Sequence, residues 1–91
     1  MSKEETEKYM AQVLGWQLDA EAKHISKDFT FKDFKESMVF INKVAELAES
    51  EGHHPDIRIF YNKIKLELWT HAIGGLSKND FILAAKINHI Q

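Results

Sequence analysis

The chain has no cysteine among its 91 residues, which excludes a disulfide framework, a thiolate nucleophile and a zinc site with cysteine ligands. It also lacks any apolar run that approaches the ~20 residues needed to span a membrane. The first ten residues, MSKEETEKYM, contain no apolar stretch typical of a signal peptide. We therefore expect a cytoplasmic protein without a membrane partner.

An excess of basic residues is missing as well. Twelve Lys and Arg face fourteen Asp and Glu, which gives a formal net charge of −2. A protein that binds nucleic acid by neutralising phosphates normally carries a clear basic surplus, so we expect no direct nucleic-acid contact. The apolar content of 44% suffices for one modest core, and no linker or repeat divides the chain. These features predict a single domain over residues 1–91.

Local patterns predict the elements of the first half of the chain. Ser2 and Glu5 have the spacing of a capping box, which favours a helix over residues 3–14 that ends before Gly15. Alternating polar and apolar residues indicate strands over 16–20 and 24–31, separated by a turn near 21–23. The longest helix is predicted over 33–50, and its apolar stripe comprises Phe34, Met38, Ile41, Ala45 and Ala48, widened by Val44 and Leu47.

The second half alternates in the same way. Strands are predicted over 57–61 and 64–71, with the Asn62-Lys63 pair as the hairpin turn. After Gly74-Gly75, a helix is expected to begin near Ser77 and to place Leu83, Ala84, Ile87 and Ile90 on one face. The order α-β-β-α-β-β-α predicts an α+β domain in which three helices cover one face of a four-stranded antiparallel sheet.

Three of the five histidines form the strongest candidate site. His53 and His54 precede the only proline, and His71 is predicted at the far end of the fourth strand, on the face opposite to the core row. A tight hairpin would place His71 opposite position 54 or 55, so that the three imidazoles converge at one sheet edge. Imidazole titrates at a pKa of about 6.5, which suits general acid and base roles near neutral pH.

Other interpretations of these residues remain open. A histidine at a turn is often only a hydrogen-bonded surface residue. A metal site of His53, His54, His71 and Glu49 is disfavoured, because adjacent strand residues point to opposite faces and no HxH or HExxH spacing is present. We therefore expect no metal ligands, and we expect no cofactor because acid and base catalysis by histidine needs none. Asp80 follows Ser77 by three residues and suits a helix N-terminus as well as a catalytic role.

The spacing of these residues resembles the pterin-4a-carbinolamine dehydratase family. The residues that fit the pattern of that family are Glu49, His53, His54, Pro55, Tyr61, His71 and Asp80. The resemblance extends through residues 15–16, 31–34, 44–49, 61–63 and 74–77, and so covers essentially the full chain. Trp69 departs from it, since relatives often carry Ser or Thr at that position, and this changes the expected shape of the pocket.

This resemblance implies an activity and a set of site residues. The implied reaction is loss of water from 4a-hydroxytetrahydropterin to give quinonoid dihydropterin, which recycles the cofactor of aromatic amino acid hydroxylases and suggests a functional link to such an enzyme. It implies that His53, His54 and His71 are catalytic. The implied substrate-binding residues are Glu49, Gly52, His53, His54, Trp69, Thr70, His71, Ala72 and Asp80.

Assembly and a second function are also implied. Some animal members of the family bind a homeodomain transcription factor as a dimerisation cofactor, so a non-enzymatic binding role is the alternative. The family forms dimers or tetramers. On physical grounds the uncovered sheet face, with Phe60, Trp69 and Trp16, and the two open sheet edges also favour a homodimer or homotetramer.

Overall fold

The computed structural model describes residues 1–90, so Gln91, the last residue of the expected 1–91 domain, lies outside the described part. The elements are α1 (Lys3–Met10), β1 (Gln17–Leu18), β2 (Ile25–Thr30), α2 (Phe34–Glu51), β3 (Asp56–Phe60), β4 (Lys63–Leu68), a 3-10 turn (His71–Ile73) and α3 (Lys78–Asn88). The strands form one antiparallel sheet in the order β1-β2-β4-β3. The predicted α+β fold and its element order are confirmed.

The core lies between the sheet and the helices. Alternate residues of β4, namely Ile64, Leu66 and Leu68, are almost fully buried on the face that the helices cover. Burial of such a side chain contributes about 1.5–3 kcal/mol. The remaining buried apolar residues include Val13, Trp16, Ile25, Phe40, Ile41, Val44, Ala48, Leu76, Phe81, Leu83, Ala84 and Ile87. The sheet therefore has one buried face and one face free of helices.

The ends of α2 are set by local chemistry. The Asp33 side chain accepts a hydrogen bond from the backbone N–H of Glu36 at 2.8 Å, which caps the first turn. At the other end Gly52 adopts the left-handed conformation, with φ of +64°, and its N–H donates to Ala48 and Glu49. This conformation favours glycine, and it turns the chain out of the helix directly before His53.

The predicted stripe of α2 is partly wrong. Phe34 and Ala45 are exposed, whereas Phe40 and Val44, with Ile41 and Ala48, face the core. The buried stripe is therefore rotated away from the predicted one. Ser37 fits within this stripe because its hydroxyl donates to the backbone oxygen of Asp33 at 3.1 Å, and a hydrogen-bonded hydroxyl can be buried at low cost.

Trp16 was expected on the uncovered sheet face, but it is only 5% exposed and belongs to the core. Its indole N–H donates to Asn88 Oδ1 at 3.0 Å, and the Lys27 ammonium donates to the same oxygen at 2.8 Å. Lys27 also donates to the backbone oxygen of Leu14. This polar cluster explains how a lysine interrupts the apolar row of β2 without an unpaired buried charge.

Several predicted boundaries also differ. Helix α1 ends at Met10 rather than at 14, and β1 has two residues rather than five. The hairpin turn is Tyr61-Asn62 rather than Asn62-Lys63, because Phe60 pairs with Lys63. Strand β4 ends at Leu68 rather than at 71. Over residues 1–90, every helix falls short of the length and apolar character that a bilayer crossing requires.

Candidate active site

The candidate residues lie where the C-terminus of α2, the end of β4 and the N-terminus of α3 meet. The backbone N–H of His53 donates to the oxygen of Ala48 at 3.2 Å, which fixes the chain leaving α2. After β4, Thr70 and Gly75 form an isolated β-bridge that closes the 3-10 turn between them. His71 is therefore the first residue of this turn and not a strand residue. Its predicted pairing with position 54 or 55 is wrong.

A buried carboxylate holds His53. Asp80 has no exposed surface, and its Oδ1 accepts a hydrogen bond from His53 Nε2 at 2.5 Å. Its Oδ2 accepts from the Thr70 hydroxyl and from the backbone N–H of Ser77, each at 2.9 Å. The positive end of the α3 dipole also favours a negative charge here. Asp80 thus lies in the first turn of α3, as one interpretation predicted, and it also contacts a candidate histidine, while its catalytic role stays a prediction.

This arrangement has a chemical consequence for His53. A carboxylate only accepts hydrogen bonds, so Nε2 carries the proton that it donates to Asp80. The other ring nitrogen, Nδ1, is then the atom that can exchange a proton with a ligand. The His53 side chain is 17% exposed, which leaves a path to such a ligand while most of the ring is held in place.

His54 has a more open environment. Its Nε2 is hydrogen-bonded to Oε2 of Glu49, which lies on the last turns of α2. The two side chains are 60% and 78% exposed, so solvent weakens the attraction between them. The pair suits orientation of a bound polar group better than strong stabilisation of the fold.

His71 is held by aromatic contact. Its imidazole stacks on the indole of Trp69, with ring centroids 3.7 Å apart and an angle of 26° between the planes. The imidazole of His24 also stacks on this indole, with ring centroids 4.6 Å apart and an angle of 20° between the planes. The indole N–H donates to Asp56 Oδ2 at 3.0 Å. Trp69 therefore lies in a column of three stacked rings on the uncovered face of the sheet.

The predicted residues thus form three small groups at one end of the sheet. The first is His53 with Asp80 and Thr70, the second is His54 with Glu49, and the third is His71 with Trp69. Gly52 shapes the turn before His53, and Ala72 is exposed within the 3-10 turn. Within residues 1–90, no three His, Asp or Glu side chains are arranged to hold one metal ion.

Two residues that contact Trp69, His24 and Asp56, were not predicted from the sequence. His24 lies two residues before Ser26, which pairs with Glu67 on the uncovered face, so its parity could have placed it on the same side as Trp69. The contact itself depends on the register between β2 and β4, which local patterns do not specify. Asp56 gave no signal beyond its position after Pro55.

Similarity to known proteins extends along the whole described part of the chain. A family model described as Pterin 4 alpha carbinolamine dehydratase matches residues 1–90. Pterin-4-alpha-carbinolamine dehydratase 2, mitochondrial, of Arabidopsis thaliana is 45% identical over 94 residues, which cover 100% of this chain and 50% of that protein. A Nitrosospira multiformis protein named for the same activity is 50% identical over 88 residues, covering 97% of this chain and 76% of its own length.

A solved structure is similar throughout. The transcriptional coactivator/pterin dehydratase from Brucella Melitensis superposes with a TM-score of 0.90 at 31% identity. The superposition covers 97% of this chain and 94% of that one. The likeness therefore includes the whole α-β-β-α-β-β-α arrangement.

Proposed function

Because the chain belongs to the pterin 4 alpha carbinolamine dehydratase family, we propose that it converts 4a-hydroxytetrahydropterin into quinonoid dihydropterin and water by histidine acid and base catalysis. The observation that carries this proposal is the pairing of His53 with the fully buried Asp80, at the same end of the sheet as His71. A carboxylate behind an imidazole fixes the ring and its tautomer, as in other acid and base sites.

The reaction needs one proton donor and one proton acceptor. The bond between C4a and its hydroxyl oxygen breaks, the oxygen receives a proton and leaves as water, and a ring nitrogen of the pterin loses a proton. No electrons are gained or lost, so the conversion itself requires no redox partner. We assign most of the proton transfer to His53 and His71, and to His54 chiefly the binding and orientation of the pterin.

We assign substrate contacts to the two segments that carry these histidines. They comprise Gly52 and His54 with Glu49 on one side, and Trp69, His71 and Ala72 on the other. Thr70 and Asp80 act through His53, because both Asp80 oxygens are already hydrogen-bonded and Thr70 donates to one of them. Two-electron reduction of this product by a separate reductase would then regenerate the tetrahydropterin cofactor of an aromatic amino acid hydroxylase.

A homodimer or homotetramer is part of the proposal. Strand β3 is an edge strand, and all of its residues are exposed. Ile57 and Ile59 pair with the buried Leu66 and Ile64, yet they remain 37% and 38% exposed. An open edge with apolar residues is a template for a second chain. Self-association there would bury this surface.

The proposed activity is tested with chemically generated 4a-hydroxytetrahydropterin and the purified protein. The formation of quinonoid dihydropterin is followed by absorbance and compared with the spontaneous dehydration in buffer. We expect a rate increase that is proportional to protein concentration and is lost on heat denaturation. A rate equal to the spontaneous one at every protein concentration would contradict the proposal.

A transcriptional coactivator function is the second candidate. It is favoured by similarity to the structure from Brucella Melitensis, which is named as a transcriptional coactivator/pterin dehydratase. The two functions are separated by one comparison. A dehydratase accelerates the reaction as a pure protein, whereas a dimerisation cofactor without activity only stabilises the dimer of a transcription factor in a binding assay.

A further inference from the structure

We propose that His24 is a positioning residue for His71, and that it acts through Trp69. This inference rests on the proposed function in one respect, namely that His71 takes part in the reaction. The stacked column of His24, Trp69 and His71 joins a residue before β2 to a residue after β4. Of these three residues, only His24 was not among the predicted site residues.

The orientation of His71 depends on Trp69. The His71 side chain is exposed, and within residues 1–90 its imidazole makes no hydrogen bond that would fix it. The stack at 3.7 Å is therefore the contact that selects among its rotamers. His53 differs in this respect, because Asp80 holds its ring directly. A proton donor or acceptor must be placed within hydrogen-bond reach of the substrate, so a loosened Trp69 would also misplace His71.

Trp69 in turn needs support on its other face. A single hydrogen bond, from its Nε1 to Asp56 at 3.0 Å, tethers one edge of the indole. One such bond leaves the indole free to pivot about the tether. The His24 ring, 4.6 Å away and nearly parallel, blocks this motion on the side opposite to His71.

His24 is itself fixed at two points. Its Nδ1 is hydrogen-bonded to Glu67 Oε2 at 3.2 Å, and Glu67 lies on β4 two residues before Trp69. Its backbone N–H donates to the Asp19 carboxylate at 3.1 Å, and its backbone oxygen accepts from the Asp19 N–H at 3.0 Å. The turn after β1 therefore holds the backbone of His24, and Glu67 on β4 holds its ring. A ring held in this way can transmit its position to the indole.

The arrangement also limits how Trp69 acts. Two imidazoles lie 3.7 and 4.6 Å from the centroid of the same indole, and rings this close would overlap if they shared a face. They therefore cover opposite faces, and no face remains for stacking on a pterin. The indole therefore supports His71 from behind, and only its edge remains for the substrate contact that we assign to Trp69. Loss of the His24 ring should lower kcat about two- to tenfold, as expected for one aromatic pair, with a smaller change in KM, because the substrate contacts of His54 are retained.

The test combines NMR of the free protein with kinetics. The imidazole protons of His71 lie over the indole face, so their resonances should be shifted upfield from those of a free histidine. They are assigned with His71→Gln. The variants are His24→Ala, which removes the ring, and His24→Phe, which keeps a ring but loses the bond to Glu67. His89→Ala, at the C-terminal cap of α3, is the matched control.

We expect His24→Ala to move the His71 resonances towards free-histidine values and to lower kcat more than it raises KM. His24→Phe should restore most of both, and His89→Ala should change neither. If His24→Ala does not fold, His24→Gln, which removes the ring but can still hydrogen-bond to Glu67, should produce the same shift. His71 resonances and kcat that remain at wild-type values in His24→Ala, or in His24→Gln, would overturn the inference. A wild-type protein without dehydratase activity would refute the proposed function instead, while the resonance shifts would still decide the positioning.

Discussion

Asp80→Asn is the substitution that probes the candidate site most selectively. It keeps the shape of the side chain and replaces one acceptor oxygen with an NH2 group. The Asp80 oxygens currently accept from His53, Thr70 and the Ser77 backbone. An asparagine can retain the bonds from Thr70 and Ser77 with its single oxygen. Its NH2 group then faces His53 Nε2, which must become an acceptor.

The magnitude follows from this exchange of roles. With Nε2 as the acceptor, the proton of the neutral His53 ring moves to Nδ1, the atom that we assign to the substrate. The same change at the buried aspartate of Ser-His-Asp sites lowers kcat by about 10⁴-fold, and a general acid or base contributes about 10²–10⁴. We therefore expect kcat/KM to fall by about 10²–10⁴. The lost charge-assisted bond should also lower the free energy of unfolding by about 1.5–3 kcal/mol.

The assay is dehydration of synthetic carbinolamine, with urea unfolding measured on the same preparation. Asp28→Asn is the matched control, because Asp28 is exposed on the uncovered face of β2, opposite Lys65. We expect it to retain wild-type kcat/KM. The reasoning would be refuted by a folded Asp80→Asn protein whose kcat/KM lies within about twofold of the wild-type value, against the loss expected of a general acid or base.

Three further results are expected. Dialysis against a strong chelator should leave turnover unchanged, whereas a loss that zinc or iron restores would contradict proton transfer by histidines alone. Analytical ultracentrifugation at low micromolar concentration should give a dimer or tetramer, and a one-chain mass throughout would rule out association through β3. Burial raises the pKa of Asp19, but hydrogen bonds from the backbone N–H groups of His24 and Lys23 lower it further, so the pKa of this carboxyl lies below its usual value. Asp19 should therefore stabilise the fold above pH of about 3.9 and lose this contribution as the pH falls through its lower folded pKa, and an NMR titration that finds an unshifted or raised pKa would contradict this.

The sequence predicted best those features that depend on neighbouring residues. The ends of α2 follow from Asp33 and Gly52, which act within one helical turn. The end of β4 was missed because the bridge between Thr70 and Gly75 replaces the strand pairing there. The position of Trp16 was missed for a related reason. Trp16 packs in the core and its N–H is paired with Asn88, which is 72 residues away in the sequence, and alternation over a short segment cannot indicate such contacts.

In the candidate site, too, features set by neighbouring residues could be predicted, whereas contacts between distant residues could not. The turn that carries His53 and His54 could be predicted from Gly52 and Pro55 nearby. The bond between His53 and Asp80 joins residues 27 positions apart, so the residue pattern alone left the role of Asp80 open, and only the family resemblance selected it. The contact of Trp69 with His24 requires the register of Ile25 opposite Leu68. That register is fixed by packing of the whole sheet and not by local sequence.

The most direct measurement of the central claim is kcat/KM for dehydration of 4a-hydroxytetrahydropterin by the wild-type protein, His53→Ala and His71→Ala, after subtraction of the spontaneous rate. We predict that the wild-type protein accelerates dehydration and that each substitution lowers kcat/KM by about 10²–10⁴. If both folded variants retain kcat/KM within about twofold of the wild-type value, far less than a general acid or base contributes, proton transfer by His53 and His71 is contradicted.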